Sequence, residues 1–508
     1  MFNSAFKLLR PAIVSVLTTG SALAFSLLGP FDTYQTPNLG YNPGVSVNNP
    51  ESDLGGPMNL NEEYRWNAPV IVYGFDNSFI EYFGDKGVRA VEQAISIINA
   101  LPPVSEMSHS LSEYPLETLR FNYTAQSLAI VDIKSLTLSL LLEQLGLASP
   151  ERYAKTIFDR KPSPADPDYE YAIIPRNFSP VPVVAGDIRN YSHSPYVNGT
   201  LYTYVIRHQA PPPAEYWDAQ DIAVDVANPR LSVASFMGTQ AALIDPRIYN
   251  TFYASFNVGI GAFFTGLTRD DVGGIRYLYH PGRTNVEGLP ANSIAGGRGG
   301  VSTGGGFSGG SPWTITIPFV STNAVTATNT PTGTAGLVNL AWRGGVDKLL
   351  LVRIDPDPFI AQYPTPLNLD YTERVFDASR NRLVTQNVRR VFTRPDITFT
   401  AEDLGVFANS VIPYQMDRTI GAFNNRGVDN SGVGRPAAGP GTIDSGGAGS
   451  RITLNKLGPW SFNFRETSED ESVRGFIFGS FDGTTNSPTV YPTGVTAKQL
   501  EQFIYGRN

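Results

Sequence analysis

The stretch DIKSLTLSLLLEQLGLAS, residues 132–149, decides how the first half of this chain is interpreted. Its leucines cover nearly every face of a helix that we predict from about Leu128 to Leu145. A helix that is apolar all round is buried. Gly146 should end it, because glycine readily adopts the left-handed backbone conformation found after many helices. The stretch therefore predicts a buried central helix followed by a sharp turn.

Two further segments flank the central helix along the chain. WNAPVIVYGF, residues 66–75, predicts a strand, and a helix at about Lys86–Ala100 follows with apolar residues at spacings of three and four. A last helix is predicted over about Arg269–Tyr279, where Thr268 and Asp271 make a capping box. The three segments thus predict a strand with its amphipathic helix, a buried helix and a capped helix, in that order along the chain.

Taken in chain order, the three segments resemble the catalytic domain of metzincin zinc peptidases of the matrixin kind. Such domains begin with a Trp, a strand and an amphipathic helix, and they end with a helix similar to LTRDDVGGIRYLY, residues 267–279. The resemblance covers about residues 62–283 and implies an α+β metzincin-like fold. An insertion at residues 150–235 is longer than matrixins usually carry.

The zinc-binding motif of that family is H-E-x-x-H-x-x-G-x-x-H, whose first two histidines project from one face of a helix. The stretch 132–149 aligns with this motif without a gap, and its scaffold positions resemble the family. The positions of the first His, the general-base Glu, the second His and the third His are held here by Ser139, Leu140, Glu143 and Ser149.

These replacements predict that the domain is not a working protease. Zinc in such a site needs three good ligands and one open position. Serine hydroxyls are poor ligands at neutral pH, one carboxylate at Glu143 cannot hold the ion alone, and Leu140 cannot act as a general base. A Met-turn remnant, ALIDP at residues 242–246, carries Ile244 where the family has Met. We therefore expect a pseudo-peptidase with no metal or other cofactor, whose site has become core.

The N-terminus predicts export from the cytosol. Lys7 and Arg10 precede an apolar stretch at about Ile13–Leu23, and ALA at residues 22–24 offers small residues two apart to a signal peptidase. A signal peptide over residues 1–24 is the expectation, with an uncleaved membrane anchor as the alternative. No later segment reaches the roughly 20 apolar residues of a spanning helix. The expected location is secreted, periplasmic or cell-surface.

Composition narrows the classes of partner. A net charge of −8 with 17% charged residues provides no basic stripe, so nucleic acid is not an expected partner. The absence of cysteine excludes disulfides, Cys-ligated zinc and thiol catalysis.

Three of the four histidines, His193, His208 and His280, could still meet in space and bind a metal unlike that of the family. Asp270 and Asp271 could assist calcium, although capping and surface solvation explain them more simply.

Glycine-rich stretches divide the rest of the chain. The predicted layout is a signal peptide at 1–24, an extended linker at 25–60, a metzincin-like domain at 61–283, a Gly-rich linker at 284–312, a β-rich domain at 313–426, a Gly-rich linker at 427–450 and a β-rich segment at 451–508. A sandwich is one arrangement for the β-rich C-terminal region. The clearest strand and helix patterns there are Trp313–Phe319, Lys348–Ile354, Arg389–Thr393 and the terminal helix Ala497–Tyr505.

The sequence thus predicts an exported, multidomain, non-catalytic protein that binds an unknown protein, peptide or surface, or serves a structural role. Two alternatives remain open. One is an exported hydrolase or metallopeptidase with an atypical metal site, and the other is a peptide-binding inhibitor or decoy. N-x-[ST] sequons, which matter only in a host that glycosylates exported proteins, occur at Asn122, Asn177, Asn190 and Asn198.

Overall fold

The fold, taken from a computed structural model of the 508-residue chain, is mixed α/β and β-rich, with few helices and mostly small sheets. The residues that the structure describes are 23–27, 59–60, 65–75, 77–162, 169–184, 187–188, 190–209, 216–225, 230–234, 260–290, 293–295, 337–339, 341–355, 367–377, 380–392, 395–399, 443–444, 449–450 and 477–505.

The helices of this part are α1 (Asn77–Asn99), α2 (Tyr123–Ser127), α3 (Ile133–Gln144), α4 (Arg269–Tyr279) and α5 (Ala497–Tyr505), with a short 3-10 turn at Val104–Glu106. The predicted bounds of α4 and α5 are confirmed. α1 begins nine residues before the predicted Lys86, because the helix resumes after a kink at Gly84, where φ is 58° and ψ is −167°.

The strands of the first half are β1 (Ser26–Leu27), β2 (Val70–Phe75), β3 (Leu119–Phe121), β4 (Ile130–Asp132), β5 (Leu147–Ala148), β6 (Thr156–Pro162), β7 (Tyr169–Ile174), β8 (Phe178–Pro182), β9 (Tyr191–His193), β10 (Tyr196–Val197), β11 (Thr200–Gln209), β12 (Tyr216–Ala223) and β13 (Ala262–Phe264). β6 to β12 build the insertion at residues 150–235, which is made of antiparallel hairpins and ribbons.

The later strands are β14 (Asn285–Glu287), β15 (Ser293–Ala295), β16 (Ala341–Arg343), β17 (Leu350–Arg353), β18 (Leu367–Asp377), β19 (Arg382–Phe392), β20 (Ile397–Phe399), β21 (Ile443–Asp444), β22 (Gly449–Ser450), β23 (Ile477–Ser480) and β24 (Thr489–Val490). β17 and β19 confirm two of the predicted strand patterns. Five of these elements form an antiparallel sheet in the order β14-β16-β18-β19-β15. A sandwich in this region stays a prediction.

Strand pairing joins distant parts of the chain. β2 lies between β17 and β20, and it is parallel to both. β4 pairs in parallel with β23, which pairs in turn with β24. Three strands that follow the predicted linker at residues 284–312 therefore pair with strands that precede it. Segments assigned to separate predicted domains are joined by backbone hydrogen bonds.

The main core lies where α1, α3 and α4 pack with β2 and the segments around them. Every residue of α3 is buried except Lys134, which confirms the prediction from the leucine pattern. The helix starts later than the predicted Leu128, because residues 130–132 form β4. Ala129 bends the chain before that strand, with φ at +54°.

The segment before the first predicted domain differs from the expectation of an extended linker over residues 25–60. Phe25, Ser26 and Leu27 are buried, and the last two pair as β1 with β5. Among the helices described, none is long and apolar enough to cross a membrane. The apolar stretch up to residue 22, the strand pattern at Trp313–Phe319 and the Met-turn remnant at 242–246 lie outside the described residues.

Candidate functional site

The three segments that carry the metzincin resemblance meet at the C-terminal end of α3. The indole Nε1–H of Trp66 donates to the carbonyl oxygen of Gln144 at 2.7 Å. The hydroxyl of Tyr279, at the end of α4, donates to the carbonyl oxygen of Leu145 at 2.6 Å. The hydroxyl also accepts the backbone N–H of Trp66 at 3.3 Å. The last carbonyls of a helix lack partners within it, so these side chains satisfy groups that would otherwise be buried and unpaired.

The start of α3 is fixed by a buried N-cap. Asp132 accepts the backbone N–H of Ser135 at 2.9 Å and its hydroxyl at 2.6 Å. The Ser135 hydroxyl oxygen accepts the backbone N–H of Phe264 at 2.8 Å, which ties β13 to the helix. Burial raises the pKa of the Asp132 carboxyl. The cap therefore holds two elements in place at once.

The end of α3 is shaped by Gly146, as the sequence predicts. Its φ is +104°, a region that side-chain-bearing residues rarely adopt, and its N–H donates to the carbonyl oxygen of Glu143 at 2.9 Å. The chain then enters β5, which pairs with β1. This turn places Ser149 directly after β5.

The four positions of the zinc motif are all in the core. Their exposed fractions are 0% for Ser139, 1% for Leu140, 2% for Glu143 and 3% for Ser149. Within the described part of the chain, the hydroxyl oxygens of Thr137 and Ser139 have no hydrogen-bond partner. A leucine, two hydroxyls and one carboxylate do not meet zinc's need for three good ligands and an open position. These residues do not fit the family's metal.

No group of three or more His, Cys, Asp or Glu side chains is placed to hold a metal ion anywhere in the described ranges. His193 stacks on Phe178 with ring centroids 4.9 Å apart, and Nδ1 of His280 accepts the N–H of Gly282 at 3.0 Å. Burial lowers the pKa of both imidazoles. The side chain of His208 and the whole of Ile244 lie outside the described residues.

The capping box at the start of α4 is confirmed, and its Asp271 carboxylate also binds a second segment of the chain. Asp271 accepts the backbone N–H of Thr268 at 2.8 Å and also the Thr268 hydroxyl. The same carboxylate accepts the backbone N–H groups of Val233 and Ala234, each at 3.0 Å. Burial raises the pKa of Asp271. The expectation that this residue is solvated at the surface is wrong, because the carboxylate is enclosed by the segment at residues 230–234.

Two more buried carboxyls, Asp270 and Glu151, lie beside Asp271, and no sequence pattern predicts that the three are buried together. Asp270 accepts the backbone N–H of Asn198 at 2.6 Å. Glu151 accepts the backbone N–H of Ser232 at 2.7 Å and its hydroxyl at 3.1 Å. Burial raises the pKa of Asp270, and it raises that of Glu151 from 4.5 to about 8. Asn198, Val233 and Ala234 belong to the insertion, so Asp270 and Asp271 attach the insertion to α4. The contact between Glu151 and Ser232 joins two parts of the insertion.

Most of the predicted sequons are structural residues. Asn122, Asn177 and Asn198 are buried. The Asn122 side chain caps α2 by accepting the N–H of Ala125 at 2.8 Å, and Asn177 donates to the carbonyl oxygen of Pro150 at 2.6 Å. A glycan cannot be attached to such amides in the folded protein.

The chain matches no protein-family model, no curated protein and no solved structure.

Proposed function

We propose that this chain is an exported, non-catalytic protein with a metzincin-like scaffold whose zinc-binding positions have become core. The observation that carries the proposal is the full burial of Ser139, Leu140, Glu143 and Ser149. A catalytic zinc must be open to water and substrate. A helix buried on every face offers access to neither.

The packing around α3 supports the scaffold part of the proposal. The Trp66 and Tyr279 side chains that bond its last carbonyls come from the first and last segments of the metzincin resemblance. Gly146 supplies the turn that the family motif requires after its helix. The positions that build the domain are thus in mutual contact, while the positions that would do chemistry carry side chains unsuited to it.

A binding role is favoured by the insertion. On the β6–β7 hairpin, Arg160 pairs across the strands with Tyr171, and Tyr169 lies two residues away on the same face. The Arg160 guanidinium is 4.5 Å from the centroid of the Tyr169 ring, which is 6.5 Å from that of Tyr171. Phe158 and Tyr169 are exposed. Tyrosine and arginine are the residue types that most often dominate protein interfaces, so a protein partner fits this face best.

A peptide-library cleavage assay, run with and without a chelator, tests the non-catalytic part. We expect no cleavage in either arm. A Ser139→Ala variant is the matched control, because it alters the zinc-motif helix at a hydroxyl that has no hydrogen-bond partner among the described residues. Cleavage that a chelator abolishes would overturn the proposal and favour an exported metallopeptidase.

A further inference from the structure

The last two residues of the predicted leader, Leu23 and Ala24, are buried, and so are the residues that follow them. The exposed fraction is 6% for Leu23, 0% for Ala24 and 2% for Phe25. Ser26 and Leu27 are also buried and pair with Ala148 and Leu147. Phe25 and Leu27 belong to the main core around α3 and α4, so the folded protein packs residues that directly follow the predicted leader into its core.

Backbone groups fix this stretch in place. The N–H of Phe25 donates to the carbonyl oxygen of Phe178 at 3.0 Å, and the reverse bond is 2.9 Å. The N–H of Ala24 lies against the buried carboxylate of Asp270 and favours its charged form. The Phe25 ring contacts that of Tyr277 in α4, with centroids 5.2 Å apart. Ala24 and Phe25 are thus anchored on both sides of their shared peptide bond.

A cut between Ala24 and Phe25 would remove parts of this core. The buried side chain of Leu23 and the whole of Ala24 would be lost, which leaves unfilled space beside the core. Asp270 would lose a backbone donor. The new ammonium group of Phe25 would start at a position with almost no access to water.

The sequence offers a second cut, between Ala22 and Leu23, which keeps the buried Leu23 and Ala24 in the chain. Gly20 and Ala22 are small residues two apart, just as Ala22 and Ala24 are. Within the predicted apolar stretch, TTGS at residues 18–21 interrupts the apolar residues after Leu17 and lies just before this cut. A leader of this form places its small-residue cleavage site after the apolar region. Sequence pattern alone allows both cuts, and the burial of Leu23 and Ala24 distinguishes them.

We propose that the leader ends at Ala22, so that the exported chain begins at Leu23, and that the leader is removed before the chain folds. This inference rests on the export proposed above. A protease needs a short extended stretch on both sides of its cut. Leu23, Ala24 and Phe25 cannot supply one once they are buried and hydrogen-bonded, so cleavage is confined to the unfolded chain.

N-terminal sequencing and intact mass of the protein, expressed from the full chain in a bacterium with a leader peptidase, test the position of the cut. We expect the exported fraction to begin at Leu23. A chain that begins at Phe25 would overturn this assignment and leave export standing. A chain that begins at Met1 in every fraction would overturn both.

A matched pair of variants sharpens the result. Gly20→Gln places a bulky residue in the small-residue pattern of the Ala22 cut, and Ala24→Gln does so for the later cut. We expect leader removal to be blocked by the first change and retained with the second. The opposite outcome would contradict the inference.

The order of leader removal and folding is tested with purified full-length precursor and a leader peptidase in detergent. We expect the natively folded precursor to be cut at least about 100-fold more slowly than the same precursor held in urea, because local opening of a buried segment is rare. Equal rates would contradict the claim that removal precedes folding.

Discussion

The start of α4 and the middle of α3 are equally buried, yet their polar side chains have different surroundings. At α4, Asp270 and Asp271 accept backbone N–H groups from segments distant in sequence. In α3, as far as the described residues extend, the hydroxyl oxygens of Thr137 and Ser139 have no partner. A buried polar group without a partner costs about 1–3 kcal/mol. The α4 carboxylates therefore hold distant segments together, whereas the hydroxyls of Thr137 and Ser139 make no such bond within the described residues.

Asp271→Ala should give the largest effect. It leaves the N–H groups of Thr268, Val233 and Ala234 without their acceptor, and it removes the helix cap. We expect a loss of about 3–5 kcal/mol in the free energy of unfolding. Denaturant unfolding measures it, and hydrogen exchange should show faster exchange at Val233 and Ala234. Asp271→Asn keeps an acceptor oxygen and should lose less than half as much. If the two variants lose the same free energy of unfolding, the hydrogen bonds that Asp271 accepts do not explain the loss.

Glu151→Gln should change the pH dependence of stability. The pKa of Glu151 is raised in the folded state from 4.5 to about 8, so folding favours its protonated form. Its contribution is complete below about pH 4.5 and is lost as the pH rises through about 8. The wild type should lose on the order of 1 kcal/mol per pH unit between pH 5 and 8 relative to the variant. Parallel profiles of unfolding free energy for the two proteins would contradict this.

Ser135→Ala should destabilise the protein by about 1–3 kcal/mol, because Asp132 loses its hydroxyl donor and the N–H of Phe264 loses its acceptor. Ser135→Thr retains the hydroxyl and is the control. The shift in denaturant midpoint measures both. A loss no larger than that of Ser139→Ala would show that the bonded and unbonded serines of α3 are equivalent.

Ser139→Ala should have the smallest effect, within about 0.5 kcal/mol of the wild type or slightly stabilising. It removes a buried hydroxyl that has no partner among the described residues, and alanine has the higher helix propensity. The same unfolding assay applies. A loss above about 2 kcal/mol would mean that the hydroxyl has a structural role, and the contrast between the two helices would fail.

Local signals were sufficient for the helix ends. The capping box of Thr268 and Asp271 and the stop at Gly146 depend on residues within four positions of each other, so the sequence alone predicts them. The burial of α3 also follows from its leucines. The assignment of Ser139, Leu140, Glu143 and Ser149 to the positions of the family motif stays a prediction.

Pairing between distant segments could not be predicted. β17 and β20 are three or four residues long, and such short apolar patterns do not specify that β2 is their partner. The burial of Asp270 and Glu151 was missed for a similar reason. Their donors Asn198 and Ser232 are 72 and 81 residues away along the chain. The sequence pattern also favoured a leader ending at Ala24. Such a pattern carries no information about which residues pack into the core, so it could not take the burial of Leu23 and Ala24 into account.

The most direct test of the central claim is the zinc content of the purified full-length protein, measured by elemental analysis after dialysis against zinc and then buffer. We expect no stoichiometric zinc, and a thermal unfolding midpoint that a chelator leaves unchanged. One tightly bound zinc per chain, with a midpoint that falls when the chelator is added, would contradict it.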